Sequence, residues 1–356
     1  MLQVKKVLFS FVCTVLLVQL SCNDSAIHPD LGTWDNLGLE GKLVNDLKLI
    51  DNYLYACAGK NGLYRFDLSQ SNLDWTYLGL ADTNVERTLE SGVTDVISDG
   101  SNLLASYAAS YALKYSGIYK SVDNGITWFP SDSGMIYNYT SQIIRLKHDP
   151  LYLETIFATT EVNLLYKSID GGNTWNKVYG IEGAAGIHYA ISCSRKAPQE
   201  VWAGGETGRF APYLLHSTDE GETWGDYIWF PENFGPYTYD NAVYDIVIDP
   251  TNENILYFGM LGVIGKTTDK GETFERILGW EDGIYRHWRI SINPNNPLEL
   301  FATGAYLYRT KDGGKSWQKI NPPLNEIYAL AVDWQKGILY VSVSSPKNGI
   351  YKYSFM

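Results

Sequence analysis

Positive charge, histidine and cysteine are scarce in this 356-residue sequence: 28 Lys and Arg stand against 40 Asp and Glu, with five His and four Cys. A net charge of −12 gives a surface that repels nucleic acid and anionic membranes. Neither nucleic acid nor a bare membrane surface is therefore an expected partner, and any anionic ligand needs a local basic pocket. There is no clustered metal-ligand pattern, no phosphate loop and no Ser-His-Asp order, so neither a metal nor a cofactor is expected. Cys57 and Cys193 fall in predicted strands far apart in the chain and are expected to be buried free thiols rather than a bridge. Beyond the N-terminus, helix-period stretches are scarce too.

What is abundant favours strands. The chain is 45% hydrophobic and 14% aromatic, with 27 Tyr and 11 Trp, residues that fit a pleated, half-buried surface. The exception is "KKVLFSFVCTVLLVQLSC", in which Lys5 and Lys6 precede an apolar run from Val7 to Val18. That is a secretory signal, short for a membrane span. Its end resembles a bacterial lipoprotein signal with Cys22 as the lipidated residue, and the polar, acidic "NDS" after it resembles a surface-export sequence of Bacteroidetes. The expected organisation is a signal at 1–21, a tether at 22–30 and a folded domain at 31–356, anchored to the outer membrane of a bacterial envelope by lipid alone. Removing residues 1–21 takes two lysines and no acid, so the mature chain is more acidic still.

A short motif recurs in that domain: "SVDNGITW", "SIDGGNTW", "STDEGETW", "TTDKGETF" and "TKDGGKSW". Its aspartates, Asp123, Asp170, Asp219, Asp269 and Asp312, are 47, 49, 50 and 43 residues apart. Such a period signals a repeat architecture rather than five copies of a catalytic loop. Each position has a turn role: the aspartate accepts backbone N–H groups, the glycine supplies positive φ, and the Trp or Phe buries a ring at the start of the next strand. The pattern resembles the Asp-box, or BNR, repeat of β-propellers.

Between the motifs the chain reads strand, Asp-Pro or Asn-Pro turn, strand, loop, strand, motif, strand, as in "AVYDIVIDPTNENILYFGMLGVIGKTTDKGETFERI". One four-stranded antiparallel sheet per period is a propeller blade. Two further units lack a good motif, and the last stops after three strands. "GTWDNLGL", Gly32 to Leu39, reads as its missing fourth strand. The expected fold is all-β: a single, monomeric seven-bladed propeller of four-stranded antiparallel blades, closed by the N-terminal strand.

In such a ring the connections leading into the inner strands, and those between second and third strands, share one face, where ligand sites are usual. They collect Tyr107, Tyr139, His188, Glu206, Arg209, Tyr239, Asp240, Tyr285, Arg286, His287 and Glu326. Aromatic faces with hydrogen-bonding rims suit sugars, so Tyr107, Tyr139, Arg209, Tyr239 and Arg286 are ligand-binding candidates. Near the axis, Asp95, Arg145, Asp245 and Arg289 each sit four residues before a turn residue, Asp99, Asp149, Asp249 or Asn293. Buried charges need partners, and adjacent-blade pairs Asp95–Arg145 and Asp245–Arg289 are expected.

The stretch from "NPNNP" through "ATG" to "YRTKDGGKSW" is similar to the propellers of two-domain xyloglucanases, sortilin-type receptors and photosystem II assembly factors, over nearly the whole mature chain. Sialidases, which are six-bladed and carry an Arg-Ile-Pro motif absent here, are the poorer match. The resemblance implies recognition or degradation of a plant- or algal-type polysaccharide, with a binding or accessory role placed first. The xyloglucanases cut between two propellers with a carboxylate from each, a pair that cannot be transferred to this one. A glycoside hydrolase would need two carboxyls, for which Glu326 with Asp240 or Glu90 are candidates. A polysaccharide lyase would need a base and a cation, for which Tyr285, His287 or His188, with Arg286, have the chemistry.

Overall fold

A computed structural model describes residues 33–355 apart from 71–73, 83–91, 109–116, 137–142, 209–210, 236–240, 280–287, 321–325, 344–347 and the single residues 183, 233 and 305. Runs rich in Val, Ile, Tyr and Phe become strands, and these sort into seven antiparallel sheets of four. The first blade comprises Asp46–Ile50, Tyr53–Cys57, Leu63–Asp67 and Trp75–Gly79, and the same sequential order recurs up to Gln318–Ile320. The seventh blade comprises Ile327–Asp333, Ile338–Val343 and Gly349–Ser354, and its outermost strand is Trp34–Gly38. Trp34 lies opposite Tyr353 and Gly38 opposite Ile350. The Trp34 and Tyr353 rings are 4.8 Å apart. Inner strands touch in cyclic order, with Ile327–Asp333 beside Asp46–Ile50, so the sheets close into a seven-bladed β-propeller.

The core lies between blades rather than at a single centre. Leu104 and Ile118 of the second blade pack with Leu146, Tyr166 and Trp175 of the third. Leu37 and Ile350 of the seventh pack with Leu47 and Leu54 of the first. Cys57 and Cys193 are buried and free, and burial raises both thiol pKa values, that of Cys193 to about 12.

The five repeated turns share one hydrogen-bond pattern. In the second blade Ser121 Oγ donates to Asp123 Oδ1 at 2.8 Å, Thr127 N donates to the same oxygen at 2.8 Å, and Thr127 Oγ1 donates to Oδ2 at 2.5 Å. Asp170, Asp219, Asp269 and Asp312 repeat these bonds with their own hydroxyl neighbours. The glycine is obligatory at Gly172: its φ is +80°, and a Cβ there would lie 2.2 Å from Leu104. The turns therefore seat against the preceding blade.

Polar latches reinforce this seat from both sides. Trp75, Trp128 and Trp175 donate Nε1–H to carbonyls of the preceding blade, Leu37, Leu78 and Ser131, at 2.7–2.8 Å. In the reverse direction Arg65, Lys120 and Lys266 donate to carbonyls of the next blade's turn, Asn124, Gly171 and Gly313, at 2.9–3.1 Å. The tryptophan latch lapses further round: among the described residues Trp224 Nε1 donates to its own Gly221, Phe274 has no N–H, and Trp317 Nε1 is buried without a partner.

Two outcomes are expected. Truncating the chain to begin at residue 40 strips Leu37 from the core and exposes a sheet edge, and should lower the melting temperature by about 5 °C or more. Hydrogen bonds from the hydroxyl, and next the backbone N–H, of the Thr or Ser four residues on hold Asp123, Asp219, Asp269 and Asp312 down to about 2. Their folded pKa lies below the unfolded value, so their stabilisation is fully present above about pH 5 and is lost as pH falls toward 2. The difference in melting temperature between wild type and Asp123→Asn should be widest at neutral pH and shrink across that window.

Candidate functional site

Strand direction divides the ring into two faces. The hairpins joining first and second strands and the five repeated turns share one face. Connections into the inner strands and those joining second to third strands lie on the other. Of the candidates expected there from sequence, Tyr139, Arg209, Tyr239, Asp240, Tyr285, Arg286 and His287 lie outside the described residues, as do Glu90 and the lipidation candidate Cys22. Glu326 is half-buried at the start of the seventh blade's inner strand, with φ +67°.

Two candidates belong elsewhere. Tyr107 is fully buried in the strand Leu103–Ala108, opposite Val93 and Gly117, and packs with Tyr55, Cys57 and Leu63. His188 is fully buried in the strand Gly186–Cys193. Its Nδ1 lies 2.8 Å from the Tyr213 hydroxyl, and its ring stands edge-on to Tyr179 and Tyr213. Burial pushes its pKa down to about 3. Sealed in this aromatic cluster, the imidazole is out of reach of a ligand. In both cases the strand extends into sequence that polar and aromatic residues had suggested was loop. Glu206, in the strand Val201–Thr207, is likewise buried.

Among the described residues, charged side chains of several blades converge on the channel along the ring axis. In five inner strands a β-bulge at 94, 144, 189, 244 or 328 shifts the register. Such a bulge re-aims the side chain that follows it. Those residues are Asp95, Arg145, Ala190, Asp245 and Ala329, with Asp46 and Arg289 at the matching places in the first and sixth blades. Together with Lys48 and Lys147 the charged members line a cavity of about 290 Å³.

The expected ion pairs form differently. Asp95 does not meet Arg145; its Oδ1 is 3.1 Å from Lys48 Nζ and accepts the Val96 N–H, and its Oδ2 accepts the Leu146 N–H of the next blade at 3.1 Å. Arg145 reaches past the second blade to Asp46, which also holds Lys48 at 3.2 Å. Burial opposes the charge on Asp46, but Arg145 and Lys48 outweigh it and its pKa falls below the usual range. Asp245 repeats the Asp95 pattern, accepting the Ile246 N–H at 3.0 Å and the Ile290 N–H of the next blade at 2.9 Å. Arg289 donates Nη1–H to Tyr244 O at 2.8 Å. The carboxylate thus binds the neighbour's backbone, and the arginine beside that backbone turns elsewhere. Asp46 and Lys48 were missed because their hairpin is shorter: Asp51–Asn52 links the strands, against Asp99–Asn102 in the second blade.

No protein-family model matches the chain. A xyloglucanase of Paenibacillus sp. is 25% identical over 351 residues, covering 83% of this chain and 33% of that enzyme. The chain spans a third or less of the length of the curated relatives it matches, all of them xyloglucanases. Among solved structures, the GH74 xyloglucanase from Xanthomonas campestris superposes with a TM-score of 0.65 at 16% identity, over 90% of this chain and 55% of that one. YCF48 from Cyanidioschyzon merolae superposes with a TM-score of 0.62 at 12% identity, over 90% and 98%. At these identities the superpositions speak to the propeller fold.

Double-mutant cycles test the channel wiring. Asp46→Ala with Arg145→Ala should show a coupling of about 1–3 kcal/mol in unfolding free energy, and Asp245→Ala with Arg289→Ala a clearly smaller one. Equal couplings would restore the adjacent-blade pairing.

Proposed function

We propose that the chain recognises a plant- or algal-type cell-wall polysaccharide, in a binding or accessory role, on the face carrying the connections into the inner strands. The observation that carries this is the alignment of 83% of the chain with a xyloglucanase. The residue types that the sequence assigns to those connections support it: tyrosines such as Tyr139 and Tyr239 suit sugar C–H faces, and arginines such as Arg209 and Arg286 suit hydroxyls or uronate carboxylates. Binding stands ahead of catalysis because one of the two histidines weighed as a lyase base, His188, is locked in the core. The repeated turns, which we read as Asp-boxes, are engaged in holding blades together.

The second reading is a glycoside hydrolase, favoured by the activity for which the relatives are named. It would draw its carboxyls from Glu326, Asp240 and Glu90, with a separation of about 5–9.5 Å. We further propose that lipid on Cys22 holds the protein at a bacterial outer membrane, on the strength of the apolar run that precedes it.

Affinity electrophoresis on xyloglucan and on an acidic polysaccharide tests the binding. Retardation should be lost or weakened about tenfold, roughly 1.4 kcal/mol, in Arg286→Ala and Tyr239→Ala, with unchanged melting temperatures. Release of reducing ends at catalytic turnover would overturn the binding role. If the ultraviolet absorbance of a conjugated uronate accompanied it, the activity would be elimination rather than hydrolysis. Metabolic labelling with a fatty-acid analogue should mark the wild type and not Cys22→Ser.

A further inference from the structure

The channel is lined by four cations, Lys48, Arg145, Lys147 and Arg289, against three carboxylates, Asp46, Asp95 and Asp245. All six oxygens of Asp46, Asp95 and Asp245 are engaged, by Lys48, by Arg145 or by backbone N–H groups. Two cations lining the same cavity, Lys147 and Arg289, make no ion pair with any described carboxylate. Arg289 spends Nη1 on a carbonyl, and its Nε is buried without a partner. Burial and the like charge of Arg145 lower its pKa although three aspartates act against them. The aspartates thus offset its burial only in part, and its unpartnered Nε–H is costly until an acceptor meets it.

We propose that the channel binds one small oxyanion between Arg289 and Lys147. The guanidinium fork suits two oxygens of one anion, a geometry a single halide cannot exploit. The cavity volume of about 290 Å³ exceeds by roughly tenfold the ~30 Å³ share of a water molecule, which leaves space for a sulfate-sized group and its hydration. Lys147 is exposed, and Lys48, two residues beyond the Asp46 position, is about one-third exposed, so solvent reaches the cavity from the hairpin side. The site lies on the ring axis and does not depend on the glycan face.

The test is thermal unfolding of the full chain titrated with millimolar sulfate, ionic strength held constant with chloride. Wild type should show a saturable rise in melting temperature. Lys147→Gln, an exposed substitution, should bind sulfate several-fold more weakly while melting like wild type in its absence. Arg289→Leu should melt at or above wild type without sulfate and show no saturable rise. The same drift in all three proteins would reduce sulfate to general exclusion from the surface and overturn the proposal. So would an Arg289→Leu protein that melts far below wild type in sulfate-free buffer, because the guanidinium would then be satisfied by the protein itself.

Discussion

At two blade junctions near the centre of this ring, a carboxylate accepts backbone N–H groups from two blades at once and ties neighbouring inner strands together. Asp95 bonds the N–H of its own successor and that of Leu146, and Asp245 does the same with Ile290. Neighbouring inner strands converge edge to edge at the axis, where sheet hydrogen bonding cannot continue from blade to blade. A short, doubly accepting side chain bridges that gap, and the bulge just before it supplies the aim. The cationic residues of the channel then respond to the field these aspartates create.

At the rim the same problem has a different answer. Sheets diverge there, and longer groups span the distance: an indole N–H going back one blade, a lysine or arginine going forward one. Between these two radii apolar packing fills the wedge. The indole latches belong to the wide end and the aspartate bridges to the narrow end, because reach has to match radius. Among the described residues, the indole latch is missing along the arc of the rim marked by Trp224, Phe274 and Trp317.

Much of the ring was readable from sequence because its repeats are stated in chemistry: a hydroxyl, an aspartate, a glycine and an aromatic residue at fixed offsets. The N-terminal closing strand was readable because the last blade lacked one. The positions of Asp95, Arg145, Asp245 and Arg289 were readable from the turn register, but their partners were not. Adjacency in blade order suggested side chain to side chain, whereas the aspartate found the neighbouring N–H closer. Asp46 escaped notice because a hairpin two residues shorter broke the count. Tyr107 and His188 were misplaced because an aromatic or polar residue reads alike at the end of a buried strand and in a loop.

Trp34–Gly38 pairs only with Gly349–Ser354, two segments more than three hundred residues apart. A chain that emerges from its N-terminus must keep its first strand unpaired until nearly the last has been made. Loop closure over such a separation makes this contact a late one, and until then both the seventh blade and the gap beside the first remain open edges. The closing contact of the ring is therefore written into its connectivity. Engineering new chain ends between two other blades would join those two strands covalently and shift the last closure to another place in the circle.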